Sequence, residues 1–332
     1  MGLISFLGKE YLGGNSLEAG VKNAELLFRK GIILHGRPIC STLDVLGEEA
    51  KSEKNVEMNL QAYRQAIVEL GNLSEAHKNS ILEYNIRTPF SVSVKLSSIT
   101  LSRRKDGEVE IEQPALLESN VRNLVLTGVK HKIPITVDME DHYWTYTTLK
   151  LARSIWNKKL PVDIVLQSCL DQTLDDVNLF LDQNLPINKS QTTVRACRGI
   201  YLEPAEIATR SASVAKERLY GLVEKLFEAG YFVGIATHDI LLSQRIRENI
   251  IQKKGIPKER YEYQGLKGIY SFEDVIIPEV LKRGEDVRLY LPVELNPGDG
   301  DAYMHRRVVM NHEIVFNYLK DRTSRVVRKL SV

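Results

Sequence analysis

Short β-branched or apolar runs alternate along the chain with stretches of helix-like spacing. The runs STLDVL (41–46), FSVSVKLS (90–97), IPITVD (133–138), VDIVLQ (162–167), TVRAC (193–197), FVGIAT (232–237), RYEYQG (260–265) and DVRLYL (286–291) predict eight strands. Segments 112–129, 172–184, 213–229 and 240–253 repeat their apolar positions every three to four residues and predict helices between them. Strict alternation implies parallel strands joined by helical crossovers. Eight units in 332 residues fit a closed, TIM-type (β/α)8 barrel better than an open sheet. The first 30 or so residues read as an amphipathic helix broken at Gly13-Gly14. They predict an N-terminal helical extension, assigned to residues 1–38, ahead of a barrel over 39–332. The polar stretch 99–112 predicts a surface loop, with a hairpin turned at Asp106-Gly107.

Composition narrows the classes without choosing among them. A formal net charge of +2 gives no reason to expect nucleic acid. No stretch is apolar for long enough to span a bilayer, and the N-terminus lacks a basic leader, so the expected location is the cytoplasm. Cys40, Cys169 and Cys197 form no CxxC pair. They are expected to be reduced, buried thiols, and no metal site is expected.

In a (β/α)8 barrel the chemistry lies at the C-terminal ends of the strands. The predicted strands all deliver polar groups there. They are Asp44 with Glu48 just beyond, Lys95, Asp138 followed by Glu140, Gln167, Arg195 with Arg198, Thr237-His238, Glu262 with Gln264, and Tyr290. Barrel interiors are usually filled by apolar layers, so this pattern points to an active site. Singly the residues are ambiguous. Lys95 alternates with Ser91 and Ser93 and points inward; such a lysine is more often half of a structural ion pair, with Asp138 its natural partner, though it could also form a Schiff base. His238 could bond a backbone group as easily as a ligand, Arg195 could be a rim residue, and Tyr201 could pack. Near the C-terminus Tyr303, Arg306 and Arg307 stand at i, i+3 and i+4, on one face of a helix that Asp299 or Asp301 could cap. Paired guanidinium groups under a tyrosine suit a carboxylate. The alternative is a solvated basic face.

In order, the segments LDVLGEE (43–49), SVSVKLSS (91–98), VDMED (137–141), VLQSCL (165–170), VRACRGIYLEPAE (194–206), GIATHD (234–239), YEYQGLKGI (261–269), YLPV (290–293) and AYMHRR (302–307) resemble the proline dehydrogenase family. The resemblance runs over roughly residues 40–310. It implies a distorted barrel that holds FAD, with the last helix over the barrel mouth. It implies oxidation of L-proline to Δ1-pyrroline-5-carboxylate, with electrons passed to a membrane quinone. Arg306 and Arg307 would then bind the proline carboxylate beside Lys95, itself held by Asp138. Tyr201, Leu266, Tyr290 and Tyr303 would wall the ring. Gln167, Arg195, Arg198, Thr237 and His238 would contact FAD. The partners implied are the quinone, a pyrroline-5-carboxylate dehydrogenase and, at most, a peripheral membrane surface.

The sequence departs from the family pattern at three places. Arg198 replaces a lysine, Met310 replaces a glutamate one turn after the arginine pair, and Ser168-Cys169 replaces Ala-Tyr. Three other readings stand beside proline oxidation: hydroxyproline dehydrogenase, which the retained Tyr290 disfavours; a flavin-binding homologue without turnover; and an aldolase-type lyase using Lys95.

Overall fold

The structure is a computed structural model, and it describes residues 11–47, 49–105, 108–181, 184–296, 298–300 and 303. Eight parallel strands close into a barrel: β1 (Cys40–Leu46), β2 (Phe90–Val94), β5 (Ile135–Val137), β6 (Asp163–Gln167), β7 (Thr193–Cys197), β8 (Phe232–Ala236), β9 (Tyr261–Leu266) and β10 (Val287–Glu294), the last pairing with the first. Strands β3 (Ser102–Lys105) and β4 (Glu108–Ile111) form the predicted hairpin, pairing antiparallel around the Asp106-Gly107 dipeptide. Those two residues lie outside the described ones.

The helices are α1 (Leu17–His35), α2 (Glu53–Ala76), α3 (Lys78–Glu83), α4 (Pro114–His131), α5 (His142–Asn157), α6 (Thr173–Phe180), α7 (Ala212–Glu228), α8 (Ile240–Ile246) and α9 (Ile277–Lys282). Local chemistry starts several of them. Ser16, Ser52, Ser211 and Asp239 each accept the backbone N–H three residues on, and Pro114 opens α4. The helix predicted over 240–253 is α8 running on into a π turn at Arg247–Gln252. The outward faces of the strands meet these helices through Val92, Val94, Leu43, Val45, Ile235 and Leu289, all buried.

The Gly13-Gly14 break has a packing cause. Gly13 donates its N–H to the Pro292 carbonyl at 2.6 Å, and Gly14 bridges to Val293, so the segment lies flat along β10. A Cβ on Gly13 would sit 2.6 Å from that of Leu291. Beyond the break, α1 packs against β10 and β1, covering the seam where the barrel closes. The chain leaves β10 at the mouth. Glu294 accepts the Gly300 N–H at 2.9 Å, and Tyr303 is buried against the barrel. Asp299, a candidate cap, instead closes the preceding turn by accepting the N–H groups of Leu295 and Asn296. Glu48, Asp301, Arg306, Arg307 and Met310 lie outside the described residues.

Candidate active site

A path of polar side chains runs through the barrel interior, built from alternate positions of β1, β2, β7, β9 and β10. At the lower end Arg288 donates to Glu262 through Nε at 2.6 Å and Nη2 at 3.1 Å, and also to the Ser41 and Thr88 carbonyls. The pair is almost wholly buried. Burial alone would raise the Glu262 carboxyl, but Arg288 holds it below its ordinary value. Glu262 also accepts from Gln264 Nε2 at 2.7 Å, and Gln264 Oε1 accepts from Arg195 Nε at 2.6 Å. Gly234 opens the space for that amide, since a Cβ there would lie 2.5 Å from Gln264 Nε2. Arg195 in turn reaches Asp138 at 3.1 Å.

Asp138 is where the chain of polar contacts meets the mouth. One carboxylate oxygen accepts from Ser93 Oγ at 2.6 Å and from Arg195; the other accepts from the Tyr290 hydroxyl at 2.5 Å. The Arg195 guanidinium lies 5.2 Å from the centre of the Tyr290 ring. Lys95 points inward as its alternation predicts, but its closest partner is not the expected one. Its ammonium hydrogen-bonds Asp44, which is fully buried, and Asp138 stands off at 3.9 Å. The register explains the correction: Asp44 is opposite Ser93 on the adjacent strand β1, two residues below Lys95. Burial alone would lower the Lys95 ammonium, but Asp44, and then Asp138 and Tyr63, hold it above its ordinary value.

The other described candidates gather around this cluster. Tyr201 is half-buried in the loop after β7; burial pushes its phenol up, and the charges of Glu140, Lys95 and Asp138 bear on it. Leu266 pairs with Tyr290 in the register of β9 and β10. Tyr303 is near enough to Tyr290 for its phenol to bear on the ionisation of Tyr290. Gln167 is buried and donates Nε2 to the Glu140 carbonyl at 2.8 Å. Thr237 is buried, and its hydroxyl accepts the Asp239 N–H. His238 takes the backbone role that the sequence left open: its Nε2 accepts the Leu266 N–H at 2.9 Å, which places the ring proton on Nδ1. Arg198 is half-buried at the mouth, and its carbonyl accepts the Cys169 N–H at 2.9 Å. Asp44, Gln264 and Glu140 complete the cluster. Strand-end position had flagged all three, but not their partners. Cys40 and Cys169 are buried and Cys197 half-buried, none in a disulfide; burial pushes the Cys169 thiol up to about 12.

A closed parallel barrel with acidic and basic side chains gathered at the C-terminal ends of its strands defines a barrel enzyme. A model of the proline dehydrogenase family matches residues 32–315, most of the chain. The chain is 28% identical over 304 residues to the proline dehydrogenase of Deinococcus radiodurans, covering 91% of this chain and 85% of that one. It is 26% identical over 281 residues to proline dehydrogenase 2 of Bacillus subtilis strain 168, covering 85% and 80%. The chain belongs to the proline dehydrogenase family. Among solved structures, proline utilization A from Bdellovibrio bacteriovorus, inactivated by N-propargylglycine, superposes with a TM-score of 0.76 at 21% identity. That match covers 92% of this chain, which spans 33% of the other's length. A D779Y mutant of the Bradyrhizobium japonicum protein superposes with a TM-score of 0.66 at 16% identity, over 91% of this chain and 30% of that one. These two likenesses concern the fold. No described helix is long and apolar enough to cross a membrane.

Proposed function

We propose that this protein oxidises L-proline to Δ1-pyrroline-5-carboxylate, with FAD as the resident hydride acceptor and a quinone as the final one. The observation that carries the reading is the Lys95–Asp138–Tyr290–Arg195 cluster at the barrel mouth of a chain that matches the family over residues 32–315. The donors on the β6–β8 side fit FAD. Gln167, Arg195, Arg198, Thr237 and His238 present an amide, two guanidinium groups, a hydroxyl and an imidazole, a set suited to a group rich in carbonyl and phosphate oxygens. Gly199, at φ 97°, keeps the wall there to bare backbone; a Cβ would meet Gln167 Oε1 at 2.7 Å.

FAD when bound supplies the two-electron oxidant; the chain's own residues bind, orient and exclude water. Lys95, kept as an ammonium by two carboxylates, offers a fixed positive charge to the substrate carboxylate, with Arg306 and Arg307 assigned to the same anion. Tyr201, Leu266, Tyr290 and Tyr303 form the apolar walls against which a five-membered ring is pressed. The Tyr290 hydroxyl is already committed to Asp138, which fixes its ring as a wall and favours proline over hydroxyproline. A Schiff-base lyase would need a neutral Lys95 amine, and its carboxylate partners oppose that. Electron transfer to a membrane quinone calls for at most peripheral contact, and the product suits a pyrroline-5-carboxylate dehydrogenase as functional partner.

The test is product formation. Purified protein supplied with FAD, L-proline and a soluble quinone should yield a cyclic imine that o-aminobenzaldehyde traps as a yellow adduct. Turnover of hydroxyproline in preference to proline, or no adduct from proline when FAD and quinone are both supplied, would overturn the proposal.

A further inference from the structure

Three consecutive residues that lead from β5 into α5 each tie down a different loop of the mouth. Glu140 accepts the Ser97 N–H at 2.9 Å and the Ser97 hydroxyl at 2.5 Å, in the turn that follows Lys95. Asp141 pairs with Arg104 of the β3–β4 hairpin at 2.7 Å. His142 bonds Glu203, in the loop after β7, through Nδ1 at 2.5 Å and through its backbone N–H at 3.0 Å. Glu140 has a further link, because its main-chain carbonyl accepts Gln167 Nε2 at 2.8 Å. One residue therefore touches the turn beyond Lys95 with its carboxylate and the Gln167 side chain with its backbone.

Burial raises the Glu140 carboxyl to about 7 even though Ser97 donates to it twice. A half-buried acid held at such a cost in solvation, in a loop that needs no charge to fold, calls for a role. The α2 side of the same turn is held separately: the Tyr63 hydroxyl accepts the Lys95 N–H at 3.3 Å, and Ser98 Oγ donates to the Lys95 carbonyl at 2.7 Å. On the mouth side Glu140 holds the neighbouring residue, Ser97.

We propose that Glu140 is a positioning residue, which through Ser97 sets where Lys95 presents its ammonium and through its carbonyl sets Gln167 against it. The inference rests on the reading of Lys95 as the partner of the substrate carboxylate and of Gln167 as a cofactor contact. Glu140 need not touch substrate or cofactor. It works by shape and hydrogen bonding, which an amide reproduces: Gln Oε1 accepts the Ser97 N–H, and Gln Nε2 donates to the Ser97 hydroxyl.

The test is a double-mutant cycle of Glu140→Ala with Lys95→Met, with Glu140→Gln as the conservative variant. Turnover of proline is measured alongside calorimetric binding of a five-membered-ring carboxylate that has oxygen in place of the amine. Misplacing a binding group by an ångström costs about 100-fold, so Glu140→Ala should lower kcat/KM by about that factor. Glu140→Gln should stay within about fivefold of the parent, the worth of one neutral hydrogen bond. In the Lys95→Met background Glu140→Ala should change little in either readout. Effects that add in full across the cycle, or a Glu140→Gln variant as impaired as Glu140→Ala, would overturn the proposal while leaving the reading of Lys95 intact. A Lys95→Met variant that binds the analogue and turns over proline normally would remove that reading, and the proposal with it.

Discussion

Replacing Asp138 by asparagine removes a charge from the carboxylate that joins Ser93, Arg195 and Tyr290 and faces Lys95. The cations stand 3.1 Å and 3.9 Å away. At an effective dielectric constant of about 20 these attractions are worth about 5 and about 4 kcal/mol gross. Desolvation offsets most of that, and removing one partner of a buried pair typically costs about 3–5 kcal/mol. Here both cations keep a second partner, Lys95 on Asp44 and Arg195 on Gln264. The net loss should therefore fall below that range, at about 2–3 kcal/mol. Urea denaturation followed by circular dichroism should show it as a lower midpoint with an unchanged slope. Proline turnover should fall as well, because Tyr290 loses the acceptor that fixes its ring. A stability change under roughly 0.5 kcal/mol, the range of an ordinary surface substitution, would refute Asp138 as the point where the network meets the mouth.

Further expectations follow from the same geometry. Glu262→Gln should cost about 3–5 kcal/mol in urea denaturation, since it leaves the Arg288 guanidinium buried without its carboxylate. Gly13→Ala should lower the thermal midpoint, because the new methyl meets Leu291 at 2.6 Å where the segment lies on β10; an unchanged midpoint would count against that close packing. Glu140→Gln should stabilise the fold at neutral and alkaline pH. The folded-state carboxyl is raised from 4.5 to about 7, so its ionisation weakens the native state as pH rises from 4.5 through 7. The advantage of the amide should be absent below pH 4.5 and level off above 7 at up to about 3 kcal/mol. Denaturation curves at pH 4, 6 and 8 would reveal an advantage independent of pH, the result that contradicts this linkage.

The barrel strands were legible because strands buried on both faces carry β-branched and apolar residues on the helix side whatever the inner face holds. The ends were less so. FSVSVKLS reads as one strand to residue 97, yet the ladder stops at Val94, because Lys95 turns toward Asp44 and the chain tightens at Leu96–Ser98. DVRLYL reads as ending at Leu291, but β10 runs to Glu294, supported by β1 on one side and by the Gly13-Gly14 segment along it. The inward pattern Ser91, Ser93, Lys95 was visible; the choice between Asp44 and Asp138 was not. It depends on barrel register, which brings carboxylates from two different strands to one ammonium. Likewise Glu262, Gln264 and Arg288 are alternate polar positions in the sequence, and only closure of the barrel makes them a continuous path to Arg195. Glu140 was visible as a strand-end acid, but its contact with Ser97 joins residues 43 positions apart.

The most direct test of the account is an anaerobic absorbance spectrum of the purified protein, loaded with FAD, before and after L-proline is added. Flavin bands should bleach on adding proline and return when a quinone is supplied. A protein that takes up no FAD, or that binds FAD whose bands stay unbleached at saturating proline, would contradict it.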